Sequence, residues 1–189
     1  MSHDITLTGA NLSTIATGHT LDTQCFLLGE FAYLSAQIST AFPTIITPHH
    51  DYPITRDAPD SITVFGQLDS GATASFRMFS STSETACSFT WLITGEKGSL
   101  KFEATYINIQ MVAPELSIHR GGGNEGEWEN IDVPRNMGFG QVGHLYDAIA
   151  NGEKVEGCLV NFEGGALRHR MLDACLKSSR DGTRETYRK

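Results

Sequence analysis

The sequence lacks both a positively charged segment and a long apolar one. Its 189 residues carry 14 Lys and Arg against 22 Asp and Glu, a net charge of −8, with no Lys/Arg-rich run. Phosphate backbones and anionic membranes select basic surfaces, so we expect neither nucleic acid nor a membrane as a partner. Apolar stretches stay below the roughly 18 residues that span a bilayer, and no basic segment followed by an apolar one marks the N-terminus. These absences predict a soluble, cytoplasmic protein.

The sequence also lacks a C-x-x-C pair. The four cysteines lie far apart, at Cys25, Cys87, Cys158 and Cys175. Each has apolar neighbours in or beside a predicted helix or strand, which favours buried thiols over disulfides or metal ligands. His49, His50 and Asp51 are adjacent, and adjacent residues rarely converge on one metal ion. We therefore expect no metal site.

Length and composition favour a single globular domain over residues 1–189, with a flexible tail from about residue 180. Apolar residues at helical spacing predict a helix over Thr20–Leu28. Strand character follows over Phe31–Phe42. Four prolines then punctuate residues 43–59, a long irregular connection that we expect to form a lid or pocket wall.

Short strands separated by glycine-containing turns occupy the middle of the sequence. They are predicted over Ser61–Leu68, Ala72–Ser80, Cys87–Thr94, Ser99–Glu103, Tyr106–Ala113, Leu116–His119 and Glu127–Val133. Phe76 and Met78 alternate with Arg77 and Phe79, so both faces of the sheet carry apolar residues. This pattern predicts helices on one face and a second subunit or another domain on the other. Two C-terminal helices are expected, one ending near residue 152 and one over residues 167–176. The predicted fold class is α+β, an open, mainly antiparallel sheet of about six strands with helices packed on one face.

The order of these elements and three sequence segments carry a family resemblance. The segments are Gly18-His19-Thr20-Leu21-Asp22 followed by Leu28-Gly29-Glu30-Phe31, the Asp60–Ser80 hairpin, and Ile93–Leu100 with the helix Phe139–Gly152. With them the chain resembles the C-terminal substrate and oligomerisation domain of the Gfo/Idh/MocA oxidoreductases, without the N-terminal Rossmann domain that members typically carry.

The resemblance implies a catalytic role for one histidine. Members of the family use a Lys at the domain boundary together with an Asp and a His spaced four apart, and His19 matches the His. Ile15 stands where the Asp would be. Hydride transfer needs a bound nicotinamide, and nothing in this sequence holds one, so we expect no cofactor on this chain.

Three glycines, Gly121, Gly123 and Gly126, satisfy G-x-G-x-x-G. That motif binds a pyrophosphate only between a strand and a helix N-terminus. Here it precedes Glu127–Asp132, which is acidic and strand-like. We interpret it as a hairpin loop.

The candidate site combines a catalytic residue with side chains able to line a pocket. His19, at the first turn of a helix, is the candidate acid, base or hydrogen-bond donor; a residue that only packs is the alternative. Aromatic and basic side chains supply apolar walls with polar handles. The candidate substrate-binding residues are His49, Tyr52, Arg77, Trp91, Tyr106 and His144.

Three functions fit these features. The favoured one is a cofactor-independent cyclase or isomerase, pericyclase-like, acting by shape and a few hydrogen bonds on an apolar intermediate of secondary metabolism. The second is the substrate-binding half of a split NAD(P)-dependent oxidoreductase, with a separate Rossmann-domain chain as partner. The third is a non-catalytic dimeric scaffold or ligand sensor. The expected partners are a small apolar or polyoxygenated substrate and a second copy, bound through the sheet face as a homodimer.

Overall fold

A computed structural model describes residues 11–47, 50–80, 89–107, 114–121, 127–132, 140–152 and 161–188. The chain divides into two compact units, one of Met1–Ser80 with Leu159–Lys189 and one of Ser81–Cys158. We call them the first and the second unit. The single domain expected from the sequence stays a prediction.

Three helices and nine strands are assigned among the described residues. In chain order they are α1 (Ala16–Leu28), β1 (Phe31–Ser39), β2 (Thr44–Thr47), β3 (His50–Thr55), β4 (Ser61–Leu68), β5 (Thr73–Phe79), β6 (Phe89–Gly95), β7 (Gly98–Ala104), β8 (Glu115–Arg120), β9 (Glu129–Ile131), α2 (Gly140–Ala150) and α3 (Phe162–Asp181). The predicted α+β class with mainly antiparallel strands is confirmed. The strand arrangement differs from the prediction, because the nine strands fall into three sheets in place of one sheet of about six.

The core of the first unit lies on one face of the antiparallel sheet β1-β4-β5. Alternation places Ile62 and Val64 on that face with no exposed surface, and Phe76 and Met78 beside them at 7% exposure each. Helices α1 and α3 pack on this side: α3 packs on β1, and the Thr17 hydroxyl of α1 lies 3.5 Å from the Met78 sulfur. Each fully buried aliphatic side chain contributes about 1.5–3 kcal/mol. Phe76 and Met78 therefore lie on the inner face of the hairpin, and Arg77 and Phe79 on the outer one.

A glycine is required where β4 crosses a bulge in β1. The register between the two strands shifts between Phe31 and Tyr33. A Cβ at Gly66 would lie 2.2 Å from the Tyr33 carbonyl oxygen, closer than any side chain tolerates. The bulge and the glycine therefore depend on one another.

The outer edge of β1 is covered by the end of the chain. Glu185 forms an antiparallel bridge with Leu34, with backbone bonds of 2.9 and 2.8 Å. Further along the strand, the backbone N–H groups of Ala36 and Ile38 donate to the hydroxyls of Ser178 and Ser179, each at 2.8 Å. Because these bonds occupy backbone groups of β1, another chain cannot add a strand along this part of the sheet edge.

The flexible tail expected from about residue 180 is therefore a wrong expectation. Tyr187 is only 4% exposed, and Arg188 pairs with Asp69. The contacts of this segment with the sheet involve Phe31, Leu34 and Asp69, which lie more than 100 positions earlier in the sequence, so no local pattern predicts them.

The proline-punctuated connection over residues 43–59 is also more regular than expected. It contains the β2-β3 hairpin, an antiparallel pair separate from the main sheet. The side chain of Asp60, which is 2% exposed, connects the two ends of this segment. Its carboxylate accepts hydrogen bonds from the backbone N–H groups of Ala41 and Phe42 at 2.6 and 2.9 Å. It also forms an ion pair with Arg56. Proline is tolerated in an edge strand such as β3, which is why proline content alone misled the prediction.

The second unit contains an antiparallel sheet in the order β6-β7-β8-β9. The registers place Trp91, Phe102, Leu116 and Ile131 in one row on one face. Ring centroids 5.7 to 6.5 Å apart join Phe89, Trp91 and Phe102 into one aromatic cluster. The strand predicted over Tyr106–Ala113 is not formed at residues 106–107, which lie in a bend, and its remainder lies outside the described residues.

Candidate functional site

The predicted catalytic histidine lies on the outward side of α1. His19 is exposed, and its backbone N–H donates to the Ile15 carbonyl at 3.0 Å, which places it inside the first turn. Ile15 and Phe26, at helical spacing on the same side, are 53% and 60% exposed. We call Ile15, His19, Asp22 and Phe26 the outer stripe of α1. Exposed apolar side chains such as Ile15 and Phe26 on one side of a helix are characteristic of a surface that another element covers.

The outer stripe carries an apolar side chain where the resembling family has an acid. Ile15 precedes His19 by four residues, so it lies one helical turn before it on the same side. An isoleucine neither accepts a proton nor orients an imidazole. His19 is therefore without the carboxylate at this position that would complete the family's catalytic pair.

An arginine from α3 binds the two acids of the Gly18–Phe31 segment. Arg168 donates from Nε to Asp22 at 2.9 Å, and from its two terminal nitrogens to the Glu30 carboxylate at 2.9 and 3.2 Å. Its side chain is only 13% exposed, against 23% for Glu30 and 43% for Asp22. This planar, two-pronged contact is the geometry in which arginine binds carboxylates most strongly.

A tyrosine near the chain end completes this cluster. The Tyr187 hydroxyl donates to Glu30 at 2.5 Å and accepts from the Phe31 backbone N–H at 3.0 Å. Burial would raise the pKa of Glu30, but the hydrogen bonds from Arg168 and Tyr187 outweigh it and hold that pKa below its usual value. Burial and the bond to Glu30 raise the pKa of Tyr187, so its hydroxyl stays a neutral donor.

We name Asp22, Glu30, Arg168 and Tyr187 the Arg168 cluster. Arg168 is not part of a solvated helix face, because its side chain is only 13% exposed. The signal was present in the sequence: Arg168 precedes the buried Met171 and Leu172 by three and four positions, which places it on the inward side of α3.

Among the predicted site residues of the first unit, Arg77 does not join His19. Arg77 extends from β5 on the face opposite Met78, and therefore away from α1, with its guanidinium 5.1 Å from the Phe79 ring centre. Tyr52, on β3, is 61% exposed. His49 lies outside the described residues.

Three of the predicted residues belong to the second unit. Trp91 is half-buried in the aromatic cluster of β6 and β7, and Tyr106 is 48% exposed after β7. His144 is on α2, and its side chain lies outside the described structure. The G-x-G-x-x-G run falls between the antiparallel partners β8 and β9, although residues 122–126 are themselves outside the described part. A strand follows the run where a dinucleotide site requires a helix, so these residues do not fit a nicotinamide cofactor.

Among the described residues of the first unit, two cavities can be outlined. An enclosed one beneath α1 measures about 10 Å³ and is lined by Ser13, Thr17 and Cys175 among others. That is room for about one water molecule. A shallow groove of about 300 Å³ runs between α3 and the chain end, with Arg170, Lys177 and Glu185 on its walls. His19 lines neither of them.

The described parts of the chain include no cluster of three or more His, Cys, Asp or Glu side chains able to hold a metal ion. Within the same residues, no helix is both long and apolar enough to cross a membrane. Cys25 and Cys175 are free, buried thiols, as the sequence predicted; Cys87 and Cys158 lie outside the described residues.

The fold and the Gly18–Phe31 segment define the C-terminal domain of an oxidoreductase-like protein. The family model for the Gal80p C-terminal domain matches residues 5–104, and the chain belongs to that family. Its structural neighbours are oxidoreductases of the Gfo/Idh/MocA type together with Gal80p, which confirms the resemblance.

Among curated proteins, the chain is similar to the dehydrogenase aclE of Aspergillus oryzae, with 36% identity over 192 residues covering 99% of the chain and 51% of the relative. Among solved structures, a super-repressor mutant of Gal80p from Saccharomyces cerevisiae superposes with a TM-score of 0.76 at 18% identity, over 94% of this chain and 50% of that one. Levoglucosan dehydrogenase in complex with NADH and levoglucosan gives 0.71 at 18% identity, over 94% and 50%. The chain thus spans about half the length of the relatives it matches.

Proposed function

We propose that this chain is the substrate-binding half of an oxidoreductase-type protein, and that the outer stripe of α1 is the surface on which a nucleotide-binding half docks. The exposure of the apolar side chains of Ile15 and Phe26, on either side of His19, is the observation that carries the proposal. The relatives are about twice as long, and the relative in Aspergillus oryzae is named a dehydrogenase. The nucleotide-binding half is either the rest of a longer chain or a separate one.

In this proposal His19 supplies a hydrogen bond or a proton to a substrate oxygen. Its place at the centre of the outer stripe, between Ile15 and Phe26, would put the imidazole at the boundary between the two halves. In this proposal the chain contributes the substrate side of the reaction, and the nucleotide-binding half holds the nicotinamide. Because Ile15 replaces the acid, turnover by such an assembly should be slower than in family members that retain it.

The test is docking in solution. Isothermal titration calorimetry would measure binding of the 189-residue chain to the nucleotide-binding half of the Aspergillus oryzae relative, with NADH present. Phe26→Asp places a charge in the proposed interface and should weaken binding at least tenfold. Phe79→Asp is the matched control, because Phe79 is similarly exposed, at 51% against 60%, and lies on β5 facing away from α1.

Two results would contradict the proposal. One is a wild-type chain that does not bind the nucleotide-binding half, and the other is a folded Phe26→Asp variant that binds as tightly as the wild type.

The cofactor-independent cyclase or isomerase favoured by the sequence remains a prediction. It needs a closed apolar cavity beside His19, since shape catalysis depends on enclosing the substrate. His19 faces outward, and the enclosed cavity beneath α1 holds about one water molecule. This geometry supports docking better than a closed reaction chamber.

A regulatory or ligand-sensing role is the second candidate function. The observation that favours it is the isoleucine at position 15, because a chain without the acid at this position is less suited to efficient catalysis. Solved Gal80p is described as a transcriptional regulator. In such a role we propose a homodimer through the outer face of β1-β4-β5, where Phe65 and Phe79 are 53% and 51% exposed. Light scattering should then report a dimer that Phe79→Asp converts to a monomer; a wild-type monomer would contradict the dimer.

A further inference from the structure

Hydrophobic burial anchors α1 only weakly. Its buried positions are Thr17, Gly18, Thr20, Leu21, Gln24 and Cys25, most of which are polar or have no side chain. Leu21 and Cys25 supply the apolar contact. A helix held by so few apolar side chains needs another constraint to set its orientation.

Two contacts with α3 supply that constraint. Near its start, α1 approaches α3 at Gly18, where a Cβ would lie 3.4 Å from Leu172 Cδ1. Towards its end, Arg168 holds Asp22 within the helix and Glu30 just beyond it. The guanidinium therefore bridges the last two turns of α1 and the glycine turn that ends it.

Both acids of this segment are engaged by side chains of the first unit. Glu30 is engaged by Arg168 and by the Tyr187 hydroxyl, and Asp22 is bonded to Arg168 Nε. Of the two, only Asp22 also belongs to the outer stripe. The segment that carries the family resemblance thus contains a structural clamp beside its histidine.

We propose that Arg168 is a positioning residue, which sets the orientation of α1 by binding Asp22 and Glu30 together. In that orientation α1 presents its outer stripe to the nucleotide-binding half. This role rests on the docking function proposed above. Lysine cannot replace it, since an ammonium lacks the planar fork that binds two carboxylates at once. Asp22 would then act on docking through Arg168 more than by contact with the partner.

A double-mutant cycle tests this proposal. The variants are Arg168→Met, Asp22→Asn and the two combined, titrated against the same nucleotide-binding half with NADH, and circular dichroism verifies that each is folded. Arg168→Met should lower the affinity at least tenfold and Asp22→Asn severalfold. In the Arg168→Met background, Asp22→Asn should have no further effect, because the two residues act as one unit. Arg188→Met, which removes an exposed pair with Asp69 in the same unit, is the control and should bind like the wild type.

Hydrogen exchange of the intact chain supplies a second measurement. Arg168→Met should raise exchange of the amides of residues 21–28 at least tenfold while β4 stays protected. If Arg168→Met does not fold, Arg168→Lys takes its place, with the same expectations. Additive losses of affinity in the cycle, or wild-type affinity in a folded Arg168 variant, would overturn the positioning role. A wild-type chain that does not bind the nucleotide-binding half would contradict the docking function. Unchanged hydrogen exchange of the α1 amides in Arg168→Met would separately contradict the positioning role of Arg168.

Discussion

The hydroxyl of Tyr187 offers a direct measure of how firmly the chain end is built into the first unit. Replacement by Phe keeps the buried ring and removes only the hydroxyl, which donates to Glu30 at 2.5 Å and accepts from the Phe31 N–H at 3.0 Å. The change therefore separates hydrogen bonding from packing. It also tests directly whether the last residues are part of the cooperative fold.

The expected cost follows from these two bonds. A hydrogen bond to a charged carboxylate contributes about 1.5–3 kcal/mol, and a buried N–H left without a partner costs about 1–3 kcal/mol. Glu30 is 23% exposed, so water can replace part of the hydrogen bonding that its carboxylate loses. We expect Tyr187→Phe to lower the free energy of unfolding by about 3 kcal/mol, a large share of the roughly 5–15 kcal/mol typical of a domain.

Urea denaturation followed by circular dichroism is the appropriate assay. Both tryptophans, Trp91 and Trp128, belong to the second unit, so their fluorescence would report on the wrong part of the chain. Tyr33→Phe is the control, because the described contact of the Tyr33 side chain is between its ring and Arg184, and phenylalanine keeps that ring, so the replacement should change little. A Tyr187→Phe variant as stable as the wild type would show that the chain end does not contribute to the cooperative unit, and would refute the reasoning.

Two further predictions concern buried ionisable groups of the first unit. Asp60→Asn should cost about 3 kcal/mol at neutral pH, because Asp60 accepts two backbone N–H bonds and pairs with Arg56. Burial acts to raise the pKa of Asp60, but these bonds outweigh burial and lower that pKa. The stabilisation is therefore fully present at pH values above the pKa of Asp60 in the unfolded chain, and it is lost as the pH falls through the lower pKa of Asp60 in the folded protein. The difference between variant and wild type, measured by urea titration, should therefore shrink below about pH 4, and a difference independent of pH would contradict the charge-based explanation. Cys25 and Cys175 should react with a thiol reagent at pH 8 only on unfolding, because burial raises their pKa values to about 11 and about 12; rapid labelling of either in the native protein would show that the core around α1 opens.

Several elements were predictable because their signals are local. The β4-β5 hairpin has alternating apolar residues and a glycine turn, and its observed bounds differ from the predicted ones by at most one residue at each end. Helix α1 begins four residues earlier than predicted, since Ala16 and Thr17 carry no strong start signal. The β2-β3 hairpin was missed because prolines normally interrupt strands, and an edge pair tolerates them.

The candidate site was predictable in part. The Gly18–Phe31 segment identified α1, and His19 on it stays the candidate catalytic residue. The Arg168 cluster was missed because its partners meet across intervals of more than 130 residues: Arg168 lies 138 positions from Glu30, and Tyr187 lies 157. Sequence spacing within α3 indicated that Arg168 faces inward, but not which acids it meets.

The sequence by itself determined the α+β class, the bounds of the β4-β5 hairpin, the family and the missing acid at Ile15, because each depends on residue types and spacings along the chain. Tertiary structure alone decided that His19 faces outward, that the family segment's two acids are bound to Arg168, and that the chain end is anchored at Tyr187. The physical reason is that ion pairs and hydrogen bonds between distant segments form only where the folded backbone brings those segments close together. The local propensities of each segment do not specify which other segment it will contact.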